Sequence, residues 1–274
     1  MIEKDPVKEL KKKIFITAYK AGSAHLGSSF SVIDLLYVLY CKKILKYDLD
    51  DPWDERRDRL ILSKGHASLA LYVILNKIGM ITDRELYNFC QPGSHLGGEP
   101  KLGSAPGIEA STGSLGHGLS FGVGIALACK MNQYKNKVYV ILGDGECQEG
   151  SVWEAVMSAV NYQLDNLVVI IDDNRLQAMD SVEAIMGIQS WKNKWVAFGF
   201  DVMEINGHNL EEIKQALLKE NIDKRPRVII SHTIKGHGVS FMENAPIWHY
   251  RMPNAEELEI VKKELEIFEK ELNV

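Results

Sequence analysis

Two short polar motifs each follow a predicted apolar strand, and together they could bind a divalent cation. Gly143-Asp144-Gly145 comes directly after the segment KVYVIL, and Asn174 comes just after the segment LVVIID. The interval between Asp144 and Asn174 holds one predicted helix and one predicted strand, which is a complete crossover between parallel strands. Both motifs should therefore leave the carboxyl edge of adjacent strands, where ligands bind in open α/β sheets.

Oxygen ligands of this kind suit Mg2+, which prefers about six oxygens at roughly 2.1 Å. Asp144 can contribute a carboxylate, Asn174 an amide oxygen and the backbone just after Asn174 a carbonyl, while two diphosphate oxygens and a water complete the shell. Gly143 and Gly145 lack a β-carbon, so phosphate can approach the backbone closely. A helix predicted to begin near Glu149 would direct its N-terminal amides toward the anion. Each motif alone is ordinary turn chemistry, and their joint placement is what favours a metal–diphosphate site.

Three of the eight histidines lie among small residues that leave the imidazole accessible: His25 in SAHLGSS, His66 in SKGHAS and His95 in GSHLGG. No two histidines stand four residues apart on a predicted helix, and no carboxylate triad accompanies them, so a zinc site is not expected. Imidazoles can instead hydrogen-bond sugar hydroxyls and carbonyls and move protons near neutral pH. These residues are therefore candidates for substrate binding and proton transfer.

The elements that must position these residues alternate between helix and strand. The apolar spacing predicts helices over 5–21, 31–45, 67–78, 119–131, 149–162 and 210–218, and strands over 59–63, 137–142, 167–172, 199–205 and 227–231. Glycine and proline recur through residues 91–118, which are predicted to form a long, ordered binding loop. Nearly all-apolar strands between helices indicate a three-layer α/β fold, a mostly parallel sheet with helices on both faces.

The end of the chain predicts one amphipathic helix, because apolar residues recur at helical spacing at Leu258, Val261, Leu265, Phe268 and Leu272. The sequence contains no repeats and no clear linker. We therefore expect residues 1–274 to form a single domain.

Composition narrows the class of function. The net charge of −5 argues against a nucleic-acid partner, because phosphate binding needs a basic face. The basic run Lys11, Lys12 and Lys13 is interpreted as a solvated helix face. Four cysteines without a C-x-x-C pair favour a reducing compartment over a disulfide framework. Without a signal peptide or a run of about 18 apolar residues, no membrane association is expected, and a cytoplasmic location is the default.

The segments around the two metal motifs, GDGECQEGSVWEA and VIIDDNRLQ, resemble the transketolase branch of the thiamine diphosphate-dependent enzymes. Five further segments resemble transketolase motifs in the family's own order: SAHLGSS, SKGHAS, GSHLGGEP, STGSLGHG and TIKGHGVSFMENAPIWHY. The resemblance covers roughly residues 10–250, which is most of the chain. It implies the thiamine-diphosphate-binding fold and, within it, the module that binds the diphosphate.

The resemblance also implies the ligands of the metal and of the cofactor. Mg2+, for which Ca2+ or Mn2+ can substitute, would be held by Asp144, Asn174 and the backbone oxygen of Leu176. The residues that would bind the cofactor are Gly143, Asp144, Gly145, Glu146, Asn174, Leu176, His66, His249 and, along the thiamine, Gly113, Ser114, Leu115 and Gly116.

The same resemblance assigns the catalytic histidines. His25, His95 and His249 would face the donor ketose and the acceptor aldehyde. His117 stands where the family usually has glutamine, so its role stays open, as does that of His237 in the segment KGHG. The two histidines that match no motif, His208 and His232, are expected to be structural or solvated.

Transketolases carry two further modules, and the resemblance implies that this chain lacks both. A pyrimidine-binding module would supply the glutamate that activates the cofactor and the groups that grip the sugar phosphate, and a C-terminal domain would follow it. Because the chain begins with Met1 and closes with a predicted amphipathic helix, we expect a split enzyme. Its partner would be a C-terminal transketolase subunit, with two copies of each chain in an α2β2 assembly. A fragment of a longer protein is the alternative. Small residues over 120–126 fit a subunit interface and tight packing within one domain equally well.

The expected reaction transfers a two-carbon ketol unit from a ketose phosphate to an aldose phosphate, with thiamine diphosphate and Mg2+, as in the pentose phosphate pathway. Two alternatives stay open. One is another ketol or acyl transferase of the superfamily, similar to a deoxyxylulose-phosphate synthase. The other is a non-catalytic module that binds Mg2+ and diphosphate. The histidines among small residues count against it, since a pure binder does not need them.

Overall fold

A parallel sheet of five strands forms the centre of the computed structural model, which describes residues 5–22, 25–187, 190–221 and 223–272. The strands lie in the order β1-β2-β3-β5-β4, and every neighbouring pair is parallel. Their bounds are β1 Arg59–Leu62, β2 Val138–Gly143, β3 Leu167–Asp173, β4 Asp201–Asn206 and β5 Arg227–His232. All carboxyl ends therefore meet at one edge of the sheet, which positions the polar residues that follow the strands.

Helices pack on both faces of the sheet because the strand residues alternate between two hydrophobic layers. Along β2, Tyr139 and Ile141 belong to one apolar cluster, whereas Val140 and Leu142 belong to the other. Burying an aliphatic side chain on either face contributes about 1.5–3 kcal/mol, so a strand buried on both faces is apolar at nearly every position. The predicted three-layer α/β architecture is confirmed.

Eleven α-helices are found within the described residues, and none of them is long and apolar enough to cross a membrane. They are α1 Pro6–Ala21, α2 Leu26–Cys41, α3 Ser68–Lys77, α4 Asp83–Tyr87, α5 Gly118–Met131, α6 Gly150–Asn161, α7 Val182–Met186, α8 Trp191–Phe198, α9 Leu210–Leu218, α10 Ala255–Glu264 and α11 Glu269–Leu272. Helices α1, α2, α3 and α9 contribute to the first apolar cluster, and α5, α6 and α8 contribute to the second.

Helix α2 begins five residues earlier than the predicted start at residue 31 and ends at Cys41 rather than at residue 45. The glycine and serines at its start are weak helix formers, but Leu26 and Phe30 are fully buried, and this burial overrides the local propensity. As a consequence, His25 occupies the position that precedes the first turn of α2. Ser23 and Ala24 of the same motif lie outside the described residues.

The single amphipathic helix predicted for the end of the chain is wrong. Helix α10 ends at Glu264, and Glu266 adopts a positive φ of 55° before the short helix α11 begins. The interruption buries Ile267 and leaves Phe268 64% exposed, so the apolar spacing read from the sequence does not continue through Phe268. A turn that places Ile267 in the core was favoured over continuous helix.

The basic run in α1 is also packed differently from the prediction of a solvated face. Lys11 is buried, with its ammonium 3.7 Å from the Asp34 carboxylate of α2. Burial lowers the pKa of Lys11, and the charge of Asp34 partly offsets that effect. Lys12 and Lys13 pair with Glu271 and Asp83 at 2.8 Å. These lysines join α1 to its neighbours.

Residues 91–117 contain no helix or strand, as predicted, yet several of their side chains are buried. Leu96, Ala105 and Ile108 pack into the apolar cluster that includes α3. The loop is therefore anchored by apolar contacts along its length, and α5 follows it at Gly118.

The small residues of α5 face two directions. A β-carbon at Gly122 would lie 2.3 Å from Val140 Cγ2 of β2, whereas a β-carbon at Gly124 would meet no atom within 4 Å. Phe121, next to this open side, is 47% exposed. The predicted alternatives for this stretch therefore coexist, with tight packing inside the domain and an open apolar face outside it.

We predict opposite effects for alanine at these two glycines. Gly122→Ala forces α5 away from the sheet and should destabilise the chain by about 1–3 kcal/mol, the usual cost of overpacking a core. Gly124→Ala gains helix propensity without a clash and should be neutral or stabilising by up to about 1 kcal/mol. Urea unfolding of both variants measures the difference, and equal effects would contradict the packing of α5 described above.

Candidate active site

A cavity of 290 Å³ opens at the carboxyl edge of the sheet, and most of the predicted site residues line it. The predicted residues among its walls are His25, His66, Gly113, Leu115, Gly143, Asp144, Gly145, Glu146, Asn174, Leu176 and His249. They come from the start of α2, from the segments after β1, β2 and β3, from the loop before α5, and from the segment after β5. Segments far apart in the sequence thus converge on one space.

The two turns that carry the predicted metal ligands are in direct contact. In the register of β2 and β3, Gly143 lies beside Asp172, which brings the residues after each strand together. The Asp144 carboxylate accepts hydrogen bonds from the backbone amide of Gly145 at 2.7 Å and from that of Arg175. The Asn174 side-chain oxygen accepts from the amide of Leu176 at 3.1 Å. A carboxylate, an amide oxygen and a backbone carbonyl are therefore available at one end of the cavity.

The charge of this end fits a divalent cation. Asp144 is only 3% exposed, and burial, followed by the nearby charge of Asp172, raises its pKa to about 7. A buried carboxylate is costly unless a cation or strong donors compensate it. Within the described ranges, no three His, Cys, Asp or Glu side chains form a metal cluster. The protein therefore offers few charged ligands, which suits Mg2+ held partly by phosphate oxygens.

Two buried lysines also line the cavity, and the sequence interpretation missed both. Lys235 donates hydrogen bonds to the carbonyls of Gln177 at 2.9 Å and Leu176 at 3.3 Å, and its ammonium lies 2.9 Å from His249 Nδ1. Burial, together with the charge of Lys64, lowers the pKa of Lys235 to about 8. Each lysine directly precedes a Gly-His pair, in SKGHAS and TIKGHG, and that shared pattern was the available signal. Ammonium groups at these positions suit phosphate oxygens.

Lys64 forms a buried ion pair with Asp172, and Asp172 joins four parts of the chain. Its carboxylate accepts hydrogen bonds from Ser31 of α2 at 2.6 Å, from Thr233 after β5 and from the Asn174 side chain at 3.2 Å. Burial alone would raise the pKa of Asp172, but the Lys64 charge and these donors outweigh it and lower the pKa. The carboxylate is therefore ionised and holds the site segments at fixed positions.

Three imidazoles form a compact group beside the lysines. The ring centroids of His25, His66 and His249 lie 5.2–5.3 Å from one another. Burial, and then the Lys235 charge, lowers the pKa of His25 to about 4 and that of His249 to about 3. Burial and the Lys64 charge also lower the pKa of His66. Each ring is neutral near pH 7 and can offer one N–H donor and one acceptor nitrogen.

The structure does not bring His95 to the cavity, which corrects its predicted place among the catalytic residues. His95 is exposed and lines neither this cavity nor the one that adjoins it. It contributes to the lowered pKa of Glu85 next to α4, an effect due first to the Thr82 hydroxyl. Glu99, four residues later in the same motif, lines the cavity instead. In an irregular loop, no periodicity indicates which side chain faces inward.

Three other expectations about the cofactor segments need correction. Ser114 is exposed and Gly116 is buried, and neither lines the cavity. The Gly116 amide instead donates to Glu146 at 2.9 Å, and the Glu146 carboxylate also accepts from Ser63 and from the Gly143 amide at 3.0 Å. Glu146 therefore braces the loop before α5 against β1 and β2. The predicted helix near Glu149 is α6, which begins at Gly150 and contributes no cavity residue, because a 3-10 turn over Gly145–Gln148 lies between.

The remaining histidines lie outside the cavity. His208 contacts the Asp34 carboxylate at 3.2 Å, accepts a hydrogen bond from the Ile234 amide at 2.8 Å and stacks on His237 at 3.7 Å between ring centroids. His232 contacts Asp173 at 2.8 Å, beside a larger cavity of 460 Å³ that holds none of the predicted site residues. His117 is exposed at the start of α5. These contacts agree with a structural or solvated role for His208 and His232.

Comparison with known proteins gives consistent matches along the chain. A family model described as the transketolase, thiamine diphosphate binding domain matches residues 4–273. One of the two apulose-4-phosphate transketolase relatives, a subunit from Phocaeicola vulgatus, is 43% identical over 268 residues, which cover 96% of this chain and 95% of that protein. The 6-deoxy-6-sulfo-D-fructose transketolase subunit SqwG of a Clostridium species is 40% identical over 225 residues, with 82% of each covered.

A solved structure has the same fold over nearly the whole chain. Transketolase from Campylobacter jejuni superposes with a TM-score of 0.87 at 32% identity and covers 98% of this chain. The present chain spans 43% of that longer transketolase chain. The match therefore concerns one part of a larger enzyme.

We predict that Lys64→Met destabilises the chain by about 3–5 kcal/mol, because it leaves the Asp172 carboxylate buried without a cationic partner. The double variant Lys64→Met, Asp172→Asn removes that charge and should recover part of the loss. Lys130→Met, which removes a half-exposed lysine paired with Asp165, should cost less than about 1 kcal/mol. Urea unfolding near pH 7 measures all three, and a Lys64→Met variant as stable as Lys130→Met would contradict the role of the pair.

We also predict that the cofactor-free chain loses stability as the pH falls from about 6.5 to about 4. Unfolded His25 takes up a proton near its ordinary pKa of about 6.5, whereas the folded chain lowers that pKa to about 4. Between these values the unfolded state binds more protons, so acid favours unfolding. Unfolding free energies across this range should fall less steeply for His25→Gln. His95→Gln, at an exposed histidine, is the matched control and should keep the original slope.

Proposed function

The chain belongs to the transketolase thiamine diphosphate-binding domain family, and on that premise we propose that it works as one subunit of a two-chain ketol transferase. The complex would transfer a two-carbon ketol unit from a ketose to an aldose, with thiamine diphosphate and Mg2+. A second polypeptide, the C-terminal transketolase subunit, would supply the pyrimidine-binding module. The proposed assembly is two copies of each chain, in the cytoplasm.

The observation that carries this proposal is the composition of the cavity. One end holds Asp144, Asn174 and the Leu176 carbonyl, the donor set expected for Mg2+ beside a diphosphate. Lys235 adds a cation for phosphate oxygens at the same end. Neutral imidazoles occupy the wall beside it, and a module that only binds diphosphate has no use for them. Cofactor binding and proton handling are thus supported in one space.

Each group of this chain would have a distinct task. Bound thiamine diphosphate supplies the carbon nucleophile that attacks the ketose carbonyl. Asp144 and Asn174 hold the metal, and the metal fixes the diphosphate. His25 and His249 hydrogen-bond the substrate oxygens on which charge develops, and as neutral imidazoles they can both donate and accept a proton. His66, at the same distance from both, would contact the diphosphate or the substrate.

The substrate class follows from the relatives. Their names refer to apulose 4-phosphate and to 6-deoxy-6-sulfo-D-fructose. We therefore propose a ketose donor that carries a phosphate or sulfonate at the end remote from the carbonyl. The same names describe each relative as one subunit of an enzyme, which supports a partner chain here. The open apolar side of α5, with Phe121 at 47% and Met131 at 75% exposure, offers a surface for it.

The metal site predicts the outcome of one substitution. Asp144→Asn keeps the size of the side chain but removes the charged ligand, so binding of thiamine diphosphate in the presence of Mg2+ should weaken about a hundredfold or more. Calorimetric titration of the complex of both polypeptides measures this affinity. Asp173→Asn changes a carboxylate at the same sheet edge that contacts His232 instead, and it should bind the cofactor as before.

A transfer assay tests the proposed reaction itself. Purified chain, the second polypeptide, thiamine diphosphate and Mg2+ should together convert ketose and aldose phosphates, and omission of any one component should abolish transfer. Normal cofactor affinity in Asp144→Asn would refute the metal site. Cofactor binding without transfer for any pair of sugars would support the non-catalytic alternative.

A further inference from the structure

A second cavity of 380 Å³ adjoins the first and shares three of its residues, His25, His66 and Glu99. Its other walls come from the start of α3, from the loop over residues 91–98, and from Tyr250. The shared residues form the boundary between the two spaces. A molecule that reaches the imidazoles from the second cavity therefore passes the Glu99 side chain.

The two cavities differ in charge. Lys64 and Lys235 line the first cavity, whereas no lysine or arginine is among the described residues that line the second. Glu99 is the one carboxylate of that second lining, and its histidines are neutral near pH 7 because burial lowers the pKa of both. The first cavity suits an anion, and the second one disfavours it.

The position of the Glu99 side chain is well defined. The Ser68 hydroxyl donates to the Gly98 carbonyl at 2.7 Å, and the Tyr72 hydroxyl donates to the Glu99 carbonyl at 3.3 Å, so α3 holds the backbone. The carboxylate lies against Gly113, where a β-carbon would come within 2.0 Å of Glu99 Oε2. Gly113 also has a φ of 126°, which strains any other residue. The loop before α5 therefore leaves room for this carboxylate and for no other side chain.

The oxygens of this carboxylate are available to a ligand. Within residues 5–22, 25–187, 190–221 and 223–272, neither oxygen accepts a hydrogen bond or joins an ion pair. An ionised carboxylate only accepts hydrogen bonds, so its natural partners are hydroxyl groups. A phosphate, sulfonate or carboxylate of the substrate would instead meet a like charge.

We propose that Glu99 is a substrate-binding residue that accepts hydrogen bonds from the hydroxyl groups of the sugar and makes the second cavity selective for an uncharged, polyhydroxy part of the substrate. This inference rests on the proposed function, whose substrates are sugars with one anionic end. It fixes the direction of the sugar, because the anionic end must lie away from Glu99. It also gives the third motif a role that His95 does not fill.

The test is the variant Glu99→Gln, which keeps the side-chain volume and removes the charge. Glycolaldehyde and glyoxylate are acceptors of equal length, one with a hydroxyl end and the other with a carboxylate end. The unmodified complex should prefer glycolaldehyde, and the kcat/KM ratio of the two should fall about tenfold in Glu99→Gln, as loss of a hydrogen bond to a charged group predicts. Most of the change should be in KM. The affinity for thiamine diphosphate with Mg2+ should stay within about threefold.

Two further variants separate this role from a general effect of charge or stability. Glu99→Asp keeps the charge and should retain most of the preference for glycolaldehyde. Glu256→Gln removes an exposed carboxylate in the first turn of α10, far along the chain from either cavity, and should leave the ratio unchanged. An unchanged ratio in Glu99→Gln, with cofactor affinity intact, would overturn the proposal.

Failure of the proposed function would give a different result. In that case the unmodified complex transfers nothing, whatever residue stands at position 99. Calorimetric titration of the same complex with erythritol and with erythronate then tests Glu99 directly, because these ligands differ in one charged end. A preference for erythritol that Glu99→Gln removes supports the proposal, and equal binding of both ligands by the unmodified complex overturns it.

Discussion

The buried ion pair between Lys64 and Asp172 is the constraint on which the site depends. Asp172 stands at the carboxyl edge of the central strand β3, and its oxygens are shared among donors from α2, from the end of β1 and from the segment after β5. Separating such a pair leaves an uncompensated charge in the interior, which costs far more than a surface contact. The segments that carry His66, Asn174 and Lys235 are therefore fixed to one another before any ligand binds.

This fixed arrangement also determines the electrostatics of the cavity. The two buried lysines lower the pKa of the imidazoles next to them, so the histidines are neutral and able to donate and accept protons. Asp144 lies at the opposite end, buried and without an ion pair of its own among the described residues, which suits a metal cation there. Cationic side chains, a buried acid and neutral rings within one small space form a gradient along the cavity. The Glu99 carboxylate, beyond the histidines, extends that gradient to a second cavity of opposite character.

The same strand ends connect the site to the surface of the molecule. Helix α5 follows the loop that contains Gly113 and lies against β2 through Gly122. Its outer side remains apolar and exposed, which is unusual for a helix that carries no amphipathic pattern. Because this chain spans 43% of the transketolase chain whose fold it shares, a partner that covers α5 would lie close to the loop that lines the cofactor cavity. Binding of the partner and completion of the site are in this way neighbouring events along the chain.

Several features follow from the sequence alone, because they depend on local pattern. The continuous apolar runs before Asp144 and Asn174 require strands buried on both faces, and parallel strands then bring both residues to one edge. SKGHAS and TIKGHG lie next to strand ends, and the lysine of each reaches the cavity for the same reason. Other features depend on contacts between segments that are distant in sequence. The choice of Glu99 over His95 depends on Ser68 and Tyr72 of α3 and on the space beside Gly113. The burial of Lys64 depends on a carboxylate more than a hundred residues away. A loop has no repeating direction for its side chains, so only the packing of the whole fold decides which of them face the site.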